Sequence, residues 1–201
     1  MSFFEPPPLP PKPDGPRFEM PEWMSAPENV LPGGFPLEVV LAHTDDVAVF
    51  VHTGSAYPKG FEFTLGVRAR EQIDRRRNDP VMAWHEGSLD DDVIRFGILL
   101  ADGRKATVFD RRPIPGTDQP PPEAVLSHRG GGGGGTSWEH GFWTWPLPPP
   151  GPFAFVLEWP GQGIGLTQVE IDSEPIRAAA ARTVELWPDG DRGSGPWVKR
   201  L

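Results

Sequence analysis

The clearest pattern in the chain runs from Phe61 to Arg70, where Phe61, Phe63, Leu65, Val67 and Ala69 alternate with Glu62, Thr64, Gly66, Arg68 and Arg70. A period of two puts successive side chains on opposite faces of a sheet, so this run predicts a strand with one buried and one wet face. Leu37, Val39 and Leu41 begin a similar run, and Val47 to Val51 is apolar on both faces. The polar His43-Thr44-Asp45-Asp46 between them reads as a turn. Val93 to Leu100 and Lys105 to Phe109 flank Asp102-Gly103, a dipeptide suited to a type I′ hairpin turn. Ala124 to His128, Trp138 to Trp145, Phe153 to Trp159 and Leu166 to Ile171 complete a set of about nine strands at the spacing of a sandwich. Helical spacing appears only near the end. There Ile176, Ala179, Ala180, Thr183, Val184 and Trp187 predict a helix over 173–187, with Asp172 or Ser173 as its cap and Pro188-Asp189-Gly190 as its stop.

Composition changes this picture at one end. Of 27 prolines, eleven lie in residues 1–36, where the missing N–H groups and fixed φ exclude helix and central strand and predict an extended arm. Phe18, Met20, Trp23 and Met24 suggest that the arm wraps the body. The expected organisation is therefore a Pro-rich extended arm over 1–36, a β-sandwich with its C-terminal helix over 37–188, and a tail over 189–201. The fold class is all-β: an antiparallel β-sandwich, immunoglobulin-like in general architecture, with that arm and one C-terminal α-helix.

Cysteine is absent, which excludes disulfides, thiolate metal sites and a cysteine nucleophile. The first residues carry neither a basic nor a sufficiently apolar leader region, and no stretch approaches 18 apolar residues. These features place the chain in the cytoplasm, without a membrane. A net charge of −9 repels phosphate backbones, so nucleic acid is not an expected partner.

The chemistry-bearing residues fall in four places. Gly130 to Gly135 has the spacing of a phosphate loop, but Thr136-Ser137 stands where that loop needs Lys, and strands flank it instead of a following helix. The run reads as a loose hairpin loop. The connection of about 20 residues before Val93 holds Arg75 to Arg77, Trp84-His85-Glu86 and Asp90-Asp91-Asp92 without evident structure, and loops of that length are often functional or disordered. His85, Asp90, Asp91 and Asp92, with Trp143 from the aromatic strands, form the candidate binding set. In the arm, Pro7, Pro10 and Lys12 match the spacing by which a polyproline helix presents two prolines and a cation to an aromatic groove. The aromatic strands form the fourth place. Alternation puts Trp143 and Trp145 on one face and Trp138 and Phe142 on the other, leaving one set available to face outward.

The five histidines lack the short spacings of structural zinc sites, and Ser137 with His140 lacks any nucleophile-elbow context. No catalytic residue, metal or cofactor is therefore expected.

The residues Trp84-His85-Glu86, Arg95-Phe96-Gly97, Ala101 to Thr107, Arg129 to Trp138 and Trp145 to Pro152 resemble a family of uncharacterised, mostly actinobacterial β-rich proteins. The resemblance covers about the middle two thirds of the chain and implies a bacterial cytoplasm, with no activity or site to carry over. The function expected from the sequence is a non-enzymatic protein-binding or assembly module, acting on a protein partner or on a second copy of itself. The alternative is a small-molecule or carbohydrate-binding protein, or a hydrolase, with its site among the long charged loops.

Overall fold

Three sheets account for the alternating runs in a computed structural model that describes residues 20–73, 80–110 and 120–187. The largest contains β2 (Gly33–Phe35), β3 (Val39–His43), β4 (Val47–Tyr57), β5 (Gly60–Ala69), β8 (Val125–Gly134) and β9 (Ser137–Trp145), in the order β2-β4-β5-β9-β8 with β3 also pairing β4. The second has the order β11-β10-β6-β7, from β6 (Arg95–Leu99), β7 (Lys105–Thr107), β10 (Pro152–Trp159) and β11 (Ile164–Asp172). A two-stranded ribbon joins β1 (Val30–Leu31) to β12 (Val184–Glu185). Every pairing is antiparallel. The β-sandwich expectation therefore holds at the level of antiparallel sheets packed on each other.

The core lies between the central strands of the two large sheets. Phe61, Phe63, Leu65 and Val67 of β5 are buried, as are Phe153, Phe155, Leu157 and Trp159 of β10. The rings of Phe63 and Phe155 meet edge to face at 5.0 Å, and those of Phe61 and Phe153 at 5.7 Å. Each such ring contributes roughly 1.5–3 kcal/mol by leaving water.

Several local expectations are corrected. Residues 30–35 carry two strands despite Pro32 between them; β2 pairs only with β4 at the sheet edge, where the donors missing at the flanking Pro32 and Pro36 are tolerated. The loop before Val93 contains a helix, α1 (Pro80–Glu86). The turn at Asp102-Gly103 is not type I′: Gly103 N–H donates to Leu100 at 2.9 Å, Leu100 N–H donates to Arg104 at 2.8 Å, and only Gly103 has positive φ, at 86°. That is a three-residue loop, a type I turn followed by a left-handed glycine. The C-terminal helix α2 covers only Glu174–Ala180, because Thr183 caps back onto the Ala180 carbonyl and Val184 then joins Val30–Leu31 in the ribbon.

The glycine run is a strand, not a loop. Gly130 to Gly134 pair in register with Gly141 to Ser137, and only Gly135-Thr136 turn. Glycine is needed at Gly131 and Gly133, where an added Cβ would meet the β9 backbone at 2.3 and 2.1 Å.

Two bulges set the directions of side chains. On β8, Arg129 is the extra residue between the pairs His128↔Phe142 and Gly130↔Gly141. On β4, three steps from His52 to Ser55 oppose two on β5, and Thr53 within that bulge has φ of 59°. It is the one non-glycine residue with positive φ among the described residues, at a cost of about 1–3 kcal/mol for a β-branched side chain.

Candidate functional site

Alternation along β9 sends Trp138, His140 and Phe142 inward, and the register of the hairpin brings His128 of β8 to the same side. β7 and β8 lie side by side at the edges of their sheets, and α1 sits over the corner between them. Trp84, the buried residue of α1, enters this corner edge-on, with ring centroids 5.9 Å from His128, 5.5 Å from His140 and 5.8 Å from Phe142. Its indole N–H donates to the Ile94 carbonyl at 2.8 Å, which satisfies the polar atom that so deep a tryptophan must place.

Nε2 of His128 and Nδ1 of His140 are 3.0 Å apart. An N–H···N bond requires one nitrogen to donate and the other to accept, so the two rings together carry at most one excess positive charge. His140 is buried, and the half-buried His128 lines a cavity of about 280 Å³. Val81, Trp84, Val108, Phe109, Leu126 and Phe142 form its apolar walls, with His85, Asp110 and His128 as the polar groups. Asp110 is itself anchored, accepting from Thr107 N–H at 2.7 Å and from the Thr107 hydroxyl at 3.0 Å. Among the described residues no group of three or more metal-ligating side chains converges. A second cavity, about 290 Å³, lies where β3 and α2 meet and carries the carboxylates Glu38 and Asp172.

The residues singled out in the sequence are dispersed. His85 lines the first cavity. Asp90, Asp91 and Asp92 are exposed and used locally: Asp90 accepts from Ser88, Asp91 pairs with Arg95 at 3.5 Å, and the Asp92 carbonyl takes the Trp159 indole N–H at 2.9 Å. Trp143 does not join them, because β9 turns it to the opposite face, where it is 0% exposed under Tyr57 and donates to the Glu22 carbonyl. Neither aromatic set of β9 faces outward freely. The sandwich covers Trp138 and Phe142, while Glu22 and Trp23 cover Trp143 and Trp145. Pro7, Pro10 and Lys12 lie outside the described residues. Sequence reading missed the His128–His140 pair, although the shared parity of 138, 140 and 142 already placed His140 among inward aromatics.

The outer face of the same sheet carries a second cluster. Arg68 donates to Glu139 at 2.6 Å and lies over the Phe50 ring at 5.2 Å, and His52 stands beside Phe50 with ring centroids 5.5 Å apart. The hydrogen bond from Arg68 holds the Glu139 carboxyl below the usual carboxylate range.

No family model, curated protein or solved structure matches the chain. No helix among the described residues is long and apolar enough to cross a membrane.

Proposed function

We propose that the chain is a binding protein for a small, largely apolar molecule with one polar end, held in the cavity beside Trp84. The supporting observation is the cavity itself, about 280 Å³ and lined by six apolar residues and three polar ones. Ligand sites combine mostly apolar walls with a few convergent polar groups in this way, and a volume at the low end of their range suits a single ring. This keeps the small-molecule reading of the loops but rests it on Trp84, His85, Asp110 and His128 instead of the aspartate run and Trp143. The test is an amide chemical-shift titration with indole, phenol and glucose in turn. Indole or phenol should shift Trp84, Leu126 and Phe142, and the cavity-filling Val108→Trp should abolish the shifts. Silence of these amides with all three probes, or shifts that survive filling, would reject the reading.

The ribbon favours a second reading, self-association. Leu31, Val184 and Leu186 share one of its faces and are 54%, 51% and 44% exposed, with exposed Trp187 beside them. Sedimentation velocity should then show a concentration-dependent dimer that Leu186→Asp converts to monomer. A native chain that stays monomeric at high concentration excludes it.

A further inference from the structure

We propose that Thr53 is an acyl-accepting nucleophile, with His52 as its general base and Glu139 as the group that positions that base. Thr53 Oγ1 lies 2.8 Å from Nδ1 of His52, within the distance over which an imidazole takes a hydroxyl proton. On the other side of the ring, Nε2 is screened from solvent and makes no hydrogen bond among the described residues, and Oε1 of Glu139 stands 3.7 Å away. A carboxylate there favours the tautomer with hydrogen on Nε2, which leaves Nδ1 free to accept. Glu139 is kept ionised for this by Arg68. The hydroxyl, imidazole and carboxylate thus come from two strands in the order of a nucleophile, a base and its orienter, a constellation recognised by geometry and not by sequence position.

Two further features support a chemical role. The backbone of Thr53 is held at φ of 59° by the β4 bulge, and backbone strain of this kind concentrates at functional positions. The bulge also leaves Thr53 exposed, so a reagent can reach it. The half-buried Phe50 stands beside His52, and exposed Val40 is paired to it on β3, which gives an apolar ledge next to the imidazole. The substrate class this arrangement fits is an activated ester with a short apolar acyl group. In the acylation step Oγ1 of Thr53 attacks the ester carbonyl while Nδ1 of His52 takes the hydroxyl proton. The carbonyl–alkoxy bond then breaks, and the proton on Nδ1 leaves with the alcohol, giving acyl-Thr53. Water, deprotonated by the same nitrogen, releases the carboxylic acid and restores the hydroxyl.

The full chain treated with p-nitrophenyl acetate should release a burst of nitrophenolate and gain one acetyl group, which peptide mapping locates on Thr53. The isosteric Thr53→Val should lose both and Thr53→Ser should keep both. His52→Gln should slow acylation on the order of 100-fold or more with unchanged melting temperature. Glu139→Gln should lower the acylation rate at saturating ester without changing the half-saturating concentration, and Glu139→Asp should restore part of it. Acetylation only at other residues, or a native rate in His52→Gln, overturns the proposal; a native rate in Glu139→Gln overturns the assignment of Glu139.

Discussion

Trp84 and Ile94 are joined by a 2.8 Å hydrogen bond from the indole N–H to the main-chain carbonyl, and this bond ties α1 to the residue that leads into β6. A helix of seven residues is too short to persist in water by its own propensity, so its position depends on what the buried Trp84 grips. Trp84→Phe keeps most of the apolar burial but leaves the Ile94 carbonyl unsatisfied, and should cost about 1–3 kcal/mol in denaturant unfolding. Trp84→Ala should cost about 3–5 kcal/mol, since it also opens the corner between β7 and β8. Equal losses in the two variants would show that the hydrogen bond contributes nothing separable.

Adjacent glycines of β8 should respond in opposite ways. A Cβ on Gly131 would stand 2.3 Å from the Glu139 carbonyl and 2.5 Å from Nδ1 of His140, whereas one on Gly132 meets nothing within 4 Å. Gly131→Ala should therefore destabilise by about 1–3 kcal/mol or more through overpacking. Gly132→Ala should be neutral or stabilising by about 0.4–1 kcal/mol, through the reduced freedom of its unfolded chain. Thermal unfolding of the two variants decides the matter, and a reversed order would refute the register of the hairpin.

The single tyrosine reports on the opposite face. Burial, and then the charge and hydrogen bond of Glu62 at 3.1 Å, raise the Tyr57 phenol to about 12 from 10.0. The native state thus favours the protonated phenol. Its contribution to stability is complete below pH 10 and is lost as pH rises towards 12. Tyrosinate absorbance should titrate near 12 in the native chain and near 10 when unfolded, and Tyr57→Phe should flatten the alkaline decline in stability. A native titration near 10 would contradict this environment.

Trp23 should prove to be a cover for β9. It meets Trp145 edge-on at 6.4 Å, beside the Trp143–Glu22 hydrogen bond. Trp23→Ala should destabilise by about 1–2 kcal/mol and red-shift the remaining tryptophan emission as Trp145 and Trp143 gain solvent. An unchanged spectrum would mean that this segment only rests on the sheet.

The strands β5 and β10 were legible because one face of each carries apolar residues at every second position. What escaped was set by contacts distant in sequence. Nothing between Arg70 and Val93 announces α1, which exists because Trp84 finds a buried corner. The helical spacing that runs on to Trp187 is interrupted when Val184 finds Val30–Leu31 as a partner, an energy that periodicity cannot contain. The same holds for the sites. His85 could be named as a loop residue, but His128 meets His140 only through a hairpin register with a bulge, and His52 meets Glu139 only across β5. The aspartates were conspicuous by charge, yet they serve a turn.

The glycine strand has a consequence for how its hairpin is addressed. A segment of identical residues without side chains would fit its neighbour almost as well after sliding along it by two positions. What denies it that freedom lies beyond the run, in the bulge at Arg129 and in the meeting of His128 with His140. The two imidazoles and the bulge thus fix the register of β8 from outside the run, where its glycines have no side chains with which to fix it.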